Sequence, residues 1–262
     1  MNWRARRHCS LVHSDARIGR NVRIGPFALI EAGVTIGDDC TIGPQVVLRR
    51  GTEVGAGCRL GPGVIIGEPP MDFAYHGENT SVQVGRDNDL REYVTIHRAT
   101  GEGAATVIGG GNLIMPYVHI AHNCRIGDRA TITNACQLAG YVEIENGAVL
   151  GGMTGVHQFV RVGTQAMAGA CSYLARDLPP FMIGAGNPFR VRGINSVGLR
   201  RAGVPPERLS ILRELYRIVY RSEYNLSAAL RELGQRFPDA PDVECFLAFV
   251  RQTKRGLSLN AG

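Results

Sequence analysis

Two histidines three positions apart, His119 and His122, stand in the segment Tyr117-Val118-His119-Ile120-Ala121-His122-Asn123-Cys124, with His157 and Gln158 further along. A neutral imidazole can take the proton from an attacking alcohol or amine, and a backbone N–H at a glycine can hold the oxyanion that the attack creates. A chain that coils once every 18 residues would set Gly140 directly above His122 and Gln158 above Gly140, with His157 alongside. Such a column offers a general base and an oxyanion donor on one face. Read as metal ligands, the same histidines lack a third ligand set by spacing.

The elements that would hold this column are announced by a period of six. From Ile18 to Leu174 there are 27 positions in one phase; 23 hold Ile, Leu or Val, and Ala168 adds a weaker one. Asp72, Glu78 and Glu102 break the phase and mark two insertions, near 68–83 and 98–107. Glycine often follows the aliphatic residue, as in Ile18-Gly19 and Ile126-Gly127. The period fits a short strand plus a tight turn, in which glycine or Asn can take positive φ. Three such units close a triangular coil of 18 residues, and coils stack as neighbouring strands do. Val22, Val34, Cys40, Cys58 and Val64, two places before the aliphatic, suit a narrow interior. Histidines flanking the inward Ile120 should then sit near the outer surface, around a turn.

After Leu174 the run Arg176-Asp177-Leu178-Pro179-Pro180 reads as an extended linker. Beyond Pro206 the period becomes helical: Leu209 to Tyr220, Leu226 to Leu233 and Val243 to Val250 predict three helices. The expected division is a β-helix domain over 1–184 and a linker with a small α-helical domain over 185–262. Glycine, 34 of 262 residues, is nearly twice its usual share of roughly 7%, whereas aromatics are only 6%. The net charge is +6, and Lys254 is the one lysine among 29 basic residues. The arginines are dispersed and not interleaved with aromatics, which argues against nucleic acid and for small anions or an acidic protein partner. Seven cysteines without a C-x-x-C give neither a disulfide framework nor a zinc ribbon. The basic start lacks an apolar h-region, and no apolar run approaches the ~20 residues of a membrane span. A cytoplasmic protein is expected.

Several motifs carry a resemblance. Ile66-Gly67-Glu68-Pro69-Pro70-Met71-Asp72, Val94-Thr95-Ile96-His97-Arg98, His119-Ile120-Ala121-His122, Gly151-Gly152-Met153-Thr154 with Val156-His157-Gln158-Phe159, and Gly186-Asn187-Pro188 occur in this order. They resemble those of the acyl-carrier-protein-dependent UDP-N-acetylglucosamine 3-O-acyltransferases, which open lipid A biosynthesis. The likeness runs from end to end. It implies a left-handed parallel β-helix, a homotrimer with the site between subunits, and neither metal nor dissociable cofactor. By position it makes His122 the base for the sugar 3-hydroxyl and Gly140 the oxyanion donor. Asp72, His119, His157 and Gln158 would contact substrate, and Asn195 and Arg201 would reach the nucleotide. Ala170 would set acyl-chain length. Arg200, Arg213 and Arg217 would meet the acidic carrier protein.

Departures from the family pattern lie at Met71, Ala74, Asn123, Tyr141 and Val197. Asn123 stands for the Asp beside the base and Tyr141 for a His one coil above. The two should stack, as a paired exchange of charged for neutral groups that retunes the base and reshapes the substrate site. The leading expectation is transfer of a (3-hydroxy)acyl group to UDP-N-acetylglucosamine. The rivals are a 3-amino sugar acceptor, a non-catalytic carrier-binding homologue, and a zinc lyase of the carbonic anhydrase type, from which the His119 to His122 spacing departs.

Overall fold

A computed structural model describes residues 9–259 in full and the backbone of 3–6. Strands of mostly two residues stack into three sheets of ten, ten and eight strands, the walls of a left-handed β-helix, parallel throughout except for one antiparallel strand at the end of each larger sheet. The aliphatic positions register coil upon coil: Ile120 lies over Leu138, Leu138 over Val156, and Val156 over Leu174. Every one of these side chains is buried, and Val34, Cys40, Cys58 and Val64 fill the space between them. Small residues fit because a third wall converges there.

Both insertions leave the wall and return to it in register. Ile66 pairs with Ile96 and Ile96 with Ile120, so the two steps are 30 and 24 residues long instead of 18. The excess forms loops after Ile65–Glu68 and after Thr95–His97.

The glycines that follow the aliphatic residues differ in role from the sequence reading. Gly37 does not take positive φ; a Cβ there would lie 2.6 Å from the Ala56 nitrogen of the next coil. It answers to close stacking. The left-handed turn position falls two residues later, and among the described residues seventeen non-glycine residues occupy it, including Asn21, Asp39, Tyr117, Asn123, Arg129 and Tyr141. That conformation costs an ordinary side chain about 1–2 kcal/mol, which inter-coil bonds such as Arg129 N–H to Gly110 O at 2.9 Å help to offset.

The segment read as a linker is built into the last coil. Leu178 is fully buried and bridges to Val162. The buried Asp177 carboxylate accepts the Arg161 N–H and the Thr253 hydroxyl, tying the C-terminal segment to the prism. Burial raises the carboxyl pKa of Asp177 above its ordinary value. The strand Met182–Ala185 pairs with Met167–Ala168 and with Arg190–Ile194, so it crosses the expected boundary at 184. Helix α1 (Ser196–Arg201), too short to show a period, precedes α2 (Pro206–Tyr220), α3 (Leu226–Arg236) and α4 (Pro241–Arg251). The last three correspond to the expected helices.

Candidate active site

An open groove of about 510 Å³ follows the wall that carries His119 and the corner that carries His122. Met71, His97, His119, His122, Gly140 and Gln158 line it, with His157 beside them. The 18-residue column is therefore real: His122, Gly140 and Gln158 come together.

His122 is buried, 6% exposed, and this corrects the expected surface placement. Its ring lies outside the prism but is flanked by Asp72 of the first insertion loop and by Tyr141, whose ring meets it edge-on at 5.4 Å. Its Nδ1 is 2.9 Å from Asn123 Oδ1 and 3.8 Å from Asp72 Oδ2. The backbone of Thr100 settles which way the Asn123 amide faces. Thr100 N–H donates to Asn123 Oδ1 at 2.9 Å, and Asn123 Nδ2 donates to Thr100 O at 3.0 Å. A carbonyl oxygen cannot donate, so His122 Nδ1 carries the hydrogen and Nε2 is left with its lone pair. That free nitrogen points at Gly140, where a Cβ would come within 2.5 Å of it. Gly140 N–H has no acceptor among the described residues. A base and an unpaired donor thus converge on one small volume.

The two neighbouring histidines are biased toward their neutral forms, whereas the nearby carboxyl is biased toward its charged one. Burial, then the proximity of His97 and His122, lowers the His119 pKa to about 4. Its Nδ1 is 2.8 Å from the Thr95 hydroxyl. Burial also lowers His97, whose Nδ1 bonds Pro69 O at 2.8 Å. Asp72 is held below the usual carboxylate range by the Ala74 N–H on its Oδ1, and further by His122. His157 Nδ1 bonds Gln158 O at 3.0 Å, which leaves its Nε2 open.

His97 and Thr100 join the site from outside the 18-residue column. Counting in eighteens misses both, because His97 belongs to the coil that steps by 24 and Thr100 lies in the inserted loop. Tyr141 stands one coil above Asn123, as the 18-residue count expects: both hold the left-handed turn position, and His119 pairs with Gln137 on the wall before them. Tyr141 packs on Phe159 at 5.0 Å, while the Asn123 amide is engaged by Thr100 and His122. Asn195 does not line the groove; its amide caps α1 through Gly198 N–H and donates to Gln165 O. Arg201 is exposed at the end of α1, and Ala170 is exposed in a turn outside the groove. Among the described residues, no three His, Cys, Asp or Glu side chains are placed to hold a metal ion.

Comparison with known proteins converges on one group. The family described as "Udp N-acetylglucosamine O-acyltransferase; Domain 2" matches residues 177–258, and bacterial transferase hexapeptide repeats match 15–50, 33–68 and 105–140. An acyl-[acyl-carrier-protein]–UDP-N-acetylglucosamine O-acyltransferase of Synechocystis sp. is 48% identical over 185 residues, 70% of this chain and 67% of that one. The protein of the same name from Alkalilimnicola ehrlichii is 44% identical, covering 73% and 75%. Among solved structures, the UDP-N-acetylglucosamine acyltransferase of Bacteroides fragilis 9343 superposes with a TM-score of 0.91 at 36% identity, covering 94% and 96%. The Arabidopsis enzyme gives 0.85 at 32%, covering 94% and 97%.

Proposed function

The chain belongs to the acyl-[acyl-carrier-protein]–UDP-N-acetylglucosamine O-acyltransferase family, and on that premise we propose the course of its reaction. The enzyme moves a (3-hydroxy)acyl group from acyl carrier protein to the 3-position of UDP-N-acetylglucosamine, the first step of lipid A biosynthesis. His122 Nε2 takes the proton of the sugar 3-hydroxyl as that oxygen attacks the thioester carbonyl carbon. Gly140 N–H holds the tetrahedral oxyanion. When the C–S bond breaks, the imidazolium returns the proton to the leaving thiolate. The products are a sugar ester and the free thiol of the carrier. This course needs no metal or dissociable cofactor.

Asp72, His119, His157 and Gln158 position the sugar in the groove, and Tyr141 closes its far side. Ala170 limits the acyl chain. The reading includes a homotrimer, supported by the exposed Phe27, Tyr117 and Met153 along one apolar corner. Asn195 and Arg201, outside the groove in their own chain, would then serve the nucleotide at a subunit boundary. Arg200, Arg213 and Arg217 would face the carrier in a cytoplasmic enzyme. Among the described residues, no helix is long and apolar enough to cross a membrane.

The observation that carries the mechanism is the lone pair of His122 aimed at Gly140. The test incubates purified protein with acyl-carrier protein and UDP-N-acetylglucosamine and weighs the product by mass spectrometry. A sugar ester is expected. Acylation only of a 3-amino analogue would redirect the acceptor, and no acylation of either would contradict the function.

A further inference from the structure

We propose that Thr106 is a positioning residue for the general base: its hydroxyl holds the turn at Asn123, and through Asn123 it sets which nitrogen of His122 carries the hydrogen. The inference rests on His122 acting as the base of the proposed function.

The turns of the prism share a backbone contact. The left-handed residue donates its N–H to the carbonyl nineteen positions earlier, one coil back: Arg129 to Gly110 at 2.9 Å, Tyr141 to His122 at 3.0 Å and Phe159 to Gly140 at 3.2 Å. For Asn123 that position is Ala104, at the end of the second insertion, and Ala104 O instead accepts the Ser81 N–H at 3.1 Å. The insertion has turned the usual acceptor away. The Asn123 N–H goes to Thr106 Oγ1 at 2.9 Å. A side chain thus replaces a backbone contact at the turn that carries the base.

Thr106 is itself firmly held. Its strand, Ala105–Ile108, pairs with Ser81–Val84 on one side and with Arg125–Ile126 on the other. The side chain is fully buried, and its β-branch leaves little χ1 freedom.

What Thr106 fixes reaches the base in two bonds. Asn123 keeps a φ of 59°, a conformation that costs an ordinary side chain free energy. With its backbone held there, its Oδ1 lies 2.9 Å from His122 Nδ1 while Thr100 grips the amide. Without the hydroxyl, the Asn123 N–H loses its acceptor, and the turn relaxes away from the ring. The imidazole can then carry its hydrogen on Nε2, where it no longer accepts a proton.

Nitrogen NMR of ring-labelled histidine reads the tautomer without turnover, and steady-state kinetics reads its consequence. The wild type and Thr106→Ser, which keeps the hydroxyl, should hold the His122 hydrogen on Nδ1. Thr106→Val, which keeps the shape and loses the acceptor, should show both tautomers. Its kcat should fall by about tenfold, the scale of one hydrogen bond. Its KM for UDP-N-acetylglucosamine should stay within about twofold, because Asp72, His119 and Gln158 are untouched. An unchanged kcat or a single Nδ1–H tautomer in Thr106→Val would overturn the proposal, as would a serine variant as impaired as the valine one. If Thr106→Val does not fold, Thr106→Cys, a weaker acceptor, takes its place and must show the same mixture. Absence of acyl transfer in the wild type counts against the proposed function and leaves the tautomer result standing.

Discussion

At one corner of the prism the residues just before the left-handed turn are Asp38, Asp128 and Asn146; at another they are His122, Gly140 and Gln158. The backbone is the same, with φ of 61° at Asp39, 54° at Arg129, 59° at Asn123 and 60° at Tyr141. In the first corner each side chain caps the N–H of the coil before it. Asp38 accepts from Arg20, Asp128 from Gly110 and Asn146 from Asp128, each at 2.7 Å. At the second corner the slot above His122 is a glycine. The His122 N–H therefore goes uncapped, the imidazole lies where a side chain would stand, and Gln158, one coil further on, leaves the Gly140 N–H without an acceptor among the described residues. A repeat scaffold gains a reactive corner by leaving out the groups that would finish it.

The contrast is broken most severely by refilling that slot. Gly140→Ala places a methyl group against His122 Nε2 and displaces the base while keeping the N–H, so turnover should fall by about 10²–10⁴-fold, the scale of a lost general base. Rates measured beside a thermal melt separate this from unfolding. A variant of near-normal rate would mean that the slot need not be empty.

A smaller effect concerns the tautomer. In Asn123→Asp a carboxylate beside His122 favours the imidazolium, so the acidic limb of the pH–rate profile should move to higher pH, by up to about one unit. Its second oxygen would also face the Thr100 carbonyl, where the amide now donates at 3.0 Å. An unmoved limb would detach Asn123 from the base.

The smallest effect belongs to Ala170. Ala170 is exposed in its own chain, so it can measure the acyl chain only at the subunit boundary of the proposed trimer, where one methyl group would be worth about 1–3 kcal/mol of discrimination. Ala170→Gly should therefore let longer acyl chains react, with rates compared across carrier-bound chains of increasing length. Identical profiles for the two proteins would remove Ala170 as the ruler.

How much of this could be read from the sequence follows from what repeats. The walls were legible because Ile120, Leu138 and Val156 keep one phase, and the phase also placed Gly140 over His122. The loops keep no phase. Hence the grip of Thr100 on Asn123, which decides the tautomer, and the arrival of His97 through a 24-residue step were hidden. Burial of His122 was missed for the same reason, since Asp72 beside it comes from a loop. The built-in segment at Asp177 read as a linker because its partners, Arg161 and Thr253, are remote in sequence and follow no period.

The two corners are compared most directly by truncating one residue at the same position in each. His122→Ala and Asp128→Ala are assayed for acyl transfer from carrier protein to UDP-N-acetylglucosamine at saturating substrate. His122→Ala should lose about 10²–10⁴-fold in turnover. Asp128→Ala should lose only its cap, about 1 kcal/mol of stability, and keep its turnover. Near-normal turnover in His122→Ala, or equal losses in both variants, would contradict the account.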